Sequence, residues 1–278
     1  MRPSTLSSMY NEFYGFQHSP FNITPDPRFL FFSDRHREAF NHLLFGVKER
    51  KGFIQLTGEV GAGKTTLCRA FLEELGPEYR TALILNPCLT MAQLVRTILV
   101  ELGVEPRRND RSIWLQDLNQ FLLDQLAEGQ DVVLIIDEAQ DLTFELLEQV
   151  RLLSNLETDQ RKLLQIILIG QPELRSRLNR ASLRQLRQRI TVRYHLDPLS
   201  RFETDHYIKH RLKVAGADGK PTFDKSAVRK IHRYSGGVPR LINAVCDKTL
   251  LCGYVTGEDE LRAHHVRRAI RELEGSAA

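Results

Sequence analysis

The chain has 278 residues, 42% hydrophobic and 27% charged, with a formal net charge of +4. That composition is ordinary for a folded protein with room for one large or two modest domains, and so mild a charge does not by itself imply nucleic acid. No apolar run approaches transmembrane length, the start lacks a signal peptide's apolar core, and Cys68, Cys88, Cys246 and Cys252 show neither C-x-x-C pairing nor zinc spacing. A cytoplasmic chain with reduced, mostly buried thiols is expected.

Residues 1–20 are polar and aromatic, with Met9-Tyr-Asn-Glu-Phe-Tyr-Gly-Phe16 as their marked cluster. The stretch Pro20 to Leu30 is too rich in proline for a helix and reads as an ordered loop, either a base-binding pocket or a loop that packs on the core. Ser33-Asp-Arg-His-Arg-Glu-Ala-Phe40 opens a capped helix running through Leu43, Leu44 and Val47. Phe53 to Thr57 is a strand. It runs into Gly58-Glu59-Val60-Gly61-Ala62-Gly63-Lys64-Thr65-Thr66, after which Leu67 to Leu72 reads as a helix. This fits G-x-x-x-x-G-K-[ST] at Gly58, Gly63, Lys64 and Thr65, in the strand–loop–helix context that a phosphate-binding loop requires. Glycines let the backbone aim its N–H groups inward, Lys64 reaches β- and γ-phosphates, and the Thr65 hydroxyl ligates Mg²⁺. A chance match in so long a chain is about a one-in-a-hundred event before that context is counted. Binding of a nucleoside triphosphate is expected.

Arg80 to Leu85 is a second strand. Met91 to Leu102 is an amphipathic helix closed by Gly103, residues 105–111 are a charged loop, and Ile113 to Leu126 is another amphipathic helix. Asp131 to Ile136 is a short, wholly apolar strand ending in Asp137-Glu138, suited to the centre of a parallel sheet. Helix 144–156, strand 163–169 ending at Gly170-Gln171-Pro172, and strand 189–196 follow. Alternating strands and helices predict a parallel α/β sheet with ligands at its carboxyl ends. Beyond Asp197-Pro198 every pattern is helical: 201–214, 224–234, 240–253 and 258–273. The expected division is an N-terminal segment with the candidate base-binding loop at 1–32, an α/β domain at 33–197 and a helical lid at 198–278.

In this context Asp137 is expected in the Mg²⁺ shell and Glu138 as the residue that polarises the attacking water. An acidic pair favours hydrolysis over mere binding. Gln171 is a candidate bridge between that water and the γ-phosphate, or a turn residue before Pro172. Arg240, at the first turn of a helix after Ser235-Gly-Gly-Val-Pro239, has a planar fork suited to phosphate oxygens. Arg175, Arg177, Arg180, Arg184, Arg187, Arg189 and Arg193 fall in a stretch with no acid. They read as a solvated face, a nucleic-acid contact, or a source of an arginine lent to a neighbouring subunit.

Together the phosphate loop, the acidic strand end, Gln171 and Gly237-Val-Pro-Arg240 resemble the AAA+ ATPase superfamily. More narrowly, the runs Met9 to Phe16, Pro20 to Phe29, Leu56 to Thr66, Leu134 to Gln140, Arg151 to Thr158, Gly170 to Leu174 and Leu183 to Ile190 are similar to those of the general secretion pathway protein A type. MSHA-pilus biogenesis and exosortase-locus ATPases are related to it. The resemblance covers nearly the whole chain from Met9 onward. It implies an AAA+ P-loop core with a small helical lid, ATP and Mg²⁺ as cofactors, and a homo-oligomer. It also implies a job in assembling a secretion, pilus or envelope-export machine, peripheral to the inner membrane through a partner. By superfamily analogy the lent arginine is Arg189 rather than Arg187. Secretion-type members continue into a transmembrane helix and a periplasmic peptidoglycan-binding region, whereas this sequence stops at Ala278. Either a stand-alone cytosolic form or recruitment of a membrane partner is expected, and residues 1–8 read as an extension or a misplaced start. The alternative from another class is a DNA-binding ATPase of the transposition-regulator type.

Overall fold

The computed structural model describes residues 5–24, 26–107, 110–158 and 161–275. It divides into two compact units, one formed by Arg37–Gly58 and Leu67–Leu196, the other by Met1–His36, Glu59–Thr66 and Asp197–Ala278.

The first unit is built on a parallel sheet of β1 (Phe53–Gly58), β2 (Tyr79–Ile84), β3 (Asp131–Ile136), β4 (Leu164–Gly170) and β5 (Ile190–Leu196), in the order β2-β3-β4-β1-β5. Strands buried on both faces read as continuous apolar runs, which is why β3 and β4 were the plainest strands in the sequence. The edge strands β2 and β5 instead mix buried and exposed positions. Because all five run the same way, Gly58, Ile136 and Gly170 end at one side of the sheet, and Asp137 and Gln171 follow on that side. Helix Met91–Glu101 starts at a capping box in which Thr90 and Gln93 satisfy each other's backbone N–H groups, and it buries Leu94, Val95, Ile98 and Leu99. Helix Phe144–Leu153 stops three residues short of the expected end, where the Ser154 hydroxyl turns back onto the Arg151 carbonyl at 2.6 Å. The arginine-rich stretch holds two short helices, Pro172–Leu178 and Arg184–Arg189. Leu174, Leu178, Leu183 and Leu186 anchor it in the core while the arginines are left at its surface.

The second unit is helical: Arg201–Val214, Lys225–Ser235, Pro239–Thr256 and Ala263–Leu273. It departs from the purely helical expectation at β6 (Thr222–Phe223) and β7 (Glu260–Leu261), a parallel two-residue pair. Gly257 ends the preceding helix at φ +69°, so the chain pairs at 260–261 before the last helix begins at Ala263 rather than 258. The aromatic cluster near the N-terminus also has structure: Thr5–Tyr14 is a helix. Tyr10 donates to Asp247 at 2.5 Å, and the Tyr14 hydroxyl reaches the Leu250 and Glu258 carbonyls at 3.2 and 3.0 Å. Phe16, Phe21 and Phe29 join the same core as Ile208, Leu212 and Val245. Each buried aromatic there contributes about 2 kcal/mol. The loop after Pro20 packs on this unit through Arg211, whose guanidinium donates to the Pro20 and Asn22 carbonyls and lies 4.6 Å from the Phe29 ring. All four cysteines are free thiols, and all but Cys88 are buried.

Candidate functional site

The loop Glu59–Thr66 belongs to the helical unit. Gly61 and Gly63 have φ of +78° and +99°, a backbone state that glycine adopts without strain. Close approach adds a second reason for glycine at 61: a Cβ there would sit 2.4 Å from Arg240 Cβ, and the Arg240 N–H donates to the Gly61 carbonyl at 3.2 Å. The predicted lid arginine therefore starts its helix against the loop. Lys64, 6% exposed, folds its Nζ inward to within 3.0 Å of the Glu59 carbonyl, which also accepts the Ala62 N–H. Thr65 and Thr66 follow in the first turn of helix Lys64–Glu74, where N–H groups have no intrahelical partner.

Sequence reasoning missed His36 beneath this loop. His36 Nε2 lies 3.2 Å from the Ala62 carbonyl, and Nδ1 lies 2.7 Å from Ser33 Oγ. A carbonyl can only accept, so Nε2 carries the proton, and Nδ1 accepts from the Ser33 hydroxyl. Ser33 Oγ in turn accepts the His36 backbone N–H, as a helix cap does. Burial holds the His36 pKa below its ordinary value, against the opposing pull of the Ala62 carbonyl and Glu203. Turning the Ala62 carbonyl onto a histidine points it away from the loop interior. His36→Phe is therefore expected to weaken ATP binding about tenfold, the worth of one hydrogen bond, with kcat unchanged at saturation. The folded pKa is depressed, so the stabilisation present above pH 6.5 is lost as pH falls toward the folded value. Wild type should lose more stability over that interval than His36→Phe, as thermal melts would record.

The acids belong to the sheet unit. Asp137, 3% exposed, follows β3, and its Oδ1 accepts the Glu138 N–H at 2.9 Å. Glu138 has φ +51° and ψ +36°, a left-handed state uncommon outside glycine. Its Oε2 accepts from Gln140 Nε2 at 2.8 Å and from Gln171 Nε2 at 3.3 Å, and Gln140 Oε1 takes the Gln171 N–H at 3.0 Å. Gln171 thus meets the acid itself. Gln140, two residues past Glu138, ties the ends of β3 and β4 together. A Cβ on Gly170 would fall 2.8 Å from Gln140 Oε1, which explains glycine there. Behind Asp137, the buried Cys68 thiol is pushed up to about 12, chiefly by burial and secondly by the Asp137 charge, so it is an inert packing group. Arg189 is half-buried, its NH1 donating to Ser154 Oγ at 2.6 Å.

The loop by itself fits the phosphates of a nucleoside triphosphate: a glycine cradle without side chains, an ammonium turned into it and a helix N-terminus. The sheet unit by itself ends β3 in a buried carboxylate beside a second one held by amides, oxygen donors of the kind a divalent cation takes. Residues 47–178 match a family model described as an AAA domain. The chain is 46% identical over 268 residues to General secretion pathway protein A of Aeromonas hydrophila, covering 96% of this chain and 49% of that protein. It therefore spans about half the length of that relative. Among solved structures it resembles Drosophila ORC bound to DNA, with a TM-score of 0.69 at 17% identity over 100% of this chain and 69% of that one. It also resembles the Thermotoga maritima RuvB Holliday junction branch migration motor, with a TM-score of 0.59 at 18% identity over 87% and 70%. At those identities the likeness is one of fold.

Proposed function

The chain belongs to the AAA+ P-loop ATPases of the general secretion pathway protein A type, and from that membership we propose that it couples Mg-ATP binding and hydrolysis to self-assembly and to the building of a secretion, pilus or envelope-export machine. The observation that carries hydrolysis, rather than binding alone, is the Glu138 carboxylate gripped at Oε2 by two amides. That grip orients Oε1 as the base for a water proton. The backbone N–H groups of Gly61 and of residues 63–66, with Lys64, take the phosphates, and Gln171 links the acid to the end of β4. Mg²⁺, held by Thr65 and Asp137, would draw charge from the β- and γ-oxygens. Arg240 faces the phosphates from the lid.

No described helix is long and apolar enough to cross a membrane. From the machine-assembly reading, and not from that absence, we propose a place at the inner membrane through a partner. Arg189 serves the neighbouring copy, exchanging its Ser154 bond for a phosphate contact. Arg189→Ala is expected to bind ATP normally and turn over slowly, with activity recovered on mixing with a subunit that has a dead site and an intact Arg189. No recovery on mixing would remove the in-trans role. A DNA-binding reading finds less support, because the net charge is only +4 and the sequence carries no recognisable DNA-binding module. Sedimentation velocity of Glu138→Gln with Mg-ATP and labelled duplex DNA separates the two. An oligomer that leaves the DNA behind supports the assembly ATPase, and co-sedimenting DNA moves the assignment to the transposition-regulator class.

A further inference from the structure

Register places Phe53, Gln55 and Thr57 of β1 on one face of the sheet, level with Ile166, Leu168 and Gly170 of β4 and, for the latter two, with Arg193 and His195 of β5. Across β3 and β4 this face is apolar, with Val132, Leu134, Ile136, Ile166 and Leu168 all in the core. At β1 and β5 it turns polar. Gln55, Thr57, Arg193 and His195 form a square of polar side chains where helix Pro172–Leu178 would ordinarily bury hydrophobic ones. A cavity of about 280 Å³ lies over that square, closed by Arg175 and Asn179 on one side and Arg187 on the other.

Two features of the cavity point to a ligand. First, Gln55, only 4% exposed, lines the cavity, so a polar side chain stands at its floor. A side-chain amide there offers two N–H donors to an occupant of the cavity. Second, Arg175, Arg187 and Arg193 bring three permanent charges to the lining, with no Asp or Glu among the residues that form it. The bonds these arginines make within the stretch, from Arg187 to the Asn179 carbonyl and from Arg193 to the Arg187 carbonyl, use few of the five N–H donors each guanidinium carries. Thr57 and His195 are joined to each other at 3.0 Å on the cavity floor.

We propose that this cavity binds a phosphate-class oxyanion, of the size of inorganic phosphate or pyrophosphate, with the guanidiniums as charge partners and the Gln55 amide as a buried donor. Planar guanidinium forks match tetrahedral oxyanions, and a neutral amide donor completes the shell without adding charge. No residue of the Gly58–Thr66 loop lines the cavity, so the site is separate from the proposed ATP site and does not rest on it.

The test is isothermal titration of pyrophosphate into Lys64→Ala, which weakens the phosphate loop, at fixed ionic strength with chloride as the balancing ion. One saturable site per chain is expected. Arg193→Ala, an exposed position, should weaken it at least tenfold. Gln55→Leu should weaken it about tenfold, the worth of one hydrogen bond to a charged group. A thermal melt in phosphate-free buffer checks that Gln55→Leu is folded. The proposal is overturned if Lys64→Ala shows no saturable binding, or if both variants bind as the parent does. It also fails if chloride competes on equal terms, because the arginines then act only as a diffuse positive surface.

Discussion

Lys64→Ala is expected to lower ATP affinity by about 100- to 1,000-fold, close to abolishing binding at cellular concentrations. The ammonium is 6% exposed and already turned into the loop, 3.0 Å from the Glu59 carbonyl, so its position is set before nucleotide arrives. Each hydrogen bond to a charged group contributes about 1.5–3 kcal/mol, and two at the lower end of that range sum to about 3–4 kcal/mol, the predicted loss. Alanine leaves the Ala62 N–H to Glu59 carbonyl bond in place at 3.0 Å, so the loop keeps its turn and the effect reports on charge. Titration with a fluorescent ATP analogue, alongside a thermal melt to confirm folding, measures this. Tight binding retained by the variant would remove the loop as the nucleotide site. Gly61→Ala supplies a second route to the same site, because its methyl would meet Arg240 Cβ at 2.4 Å and so acts through the lid helix rather than through charge.

The parts of this molecule that were legible in sequence are those where one physical constraint acts locally. β3 and β4 are buried on both faces, so they appear as apolar runs with functional residues immediately after them. The loop is written in glycines that the backbone needs at positive φ. The illegible parts depend on contacts distant in the chain. Nothing in Ser33-Asp-Arg-His36 announces that His36 will reach the carbonyl of Ala62, since its immediate role is the third position of a capped helix. The aromatic residues at 10–16 looked like a polar segment's decoration because their partners, Asp247, Leu250 and Glu258, lie more than two hundred residues away. β6 and β7 are two residues each, too short to show a period. Gln140 had a signal, standing two residues past the acids, but only the parallel register of β3 and β4 brings Gln171 to it.

Glu138→Gln is expected to leave ATP affinity within a few-fold of wild type and to lower kcat by about 100- to 10,000-fold, the range a positioned general base contributes. The substitution keeps a side-chain oxygen able to accept from Gln140 and Gln171, and the left-handed backbone at 138 is reached equally by glutamate and glutamine. What it removes is the ability to take a proton. Gln140→Ala makes the complementary test. The acid stays, but the 2.8 Å bond that orients it is lost, together with the partner of the Gln171 N–H. A fall in kcat of about tenfold at unchanged affinity is expected, with little added when it is combined with Glu138→Gln, because residues acting through one carboxylate are not additive. Single-turnover hydrolysis at saturating ATP reads wild type, both single variants and the double variant. If wild type and Glu138→Gln hydrolyse at the same trace rate, the carboxylate is not a base, and the chain is a nucleotide-gated scaffold whose work is done by binding alone. If Glu138→Gln is slow and Gln140→Ala is unaffected, the two-amide grip on Oε2 is structural, and the orientation of the base must come from the strained backbone at Glu138 instead.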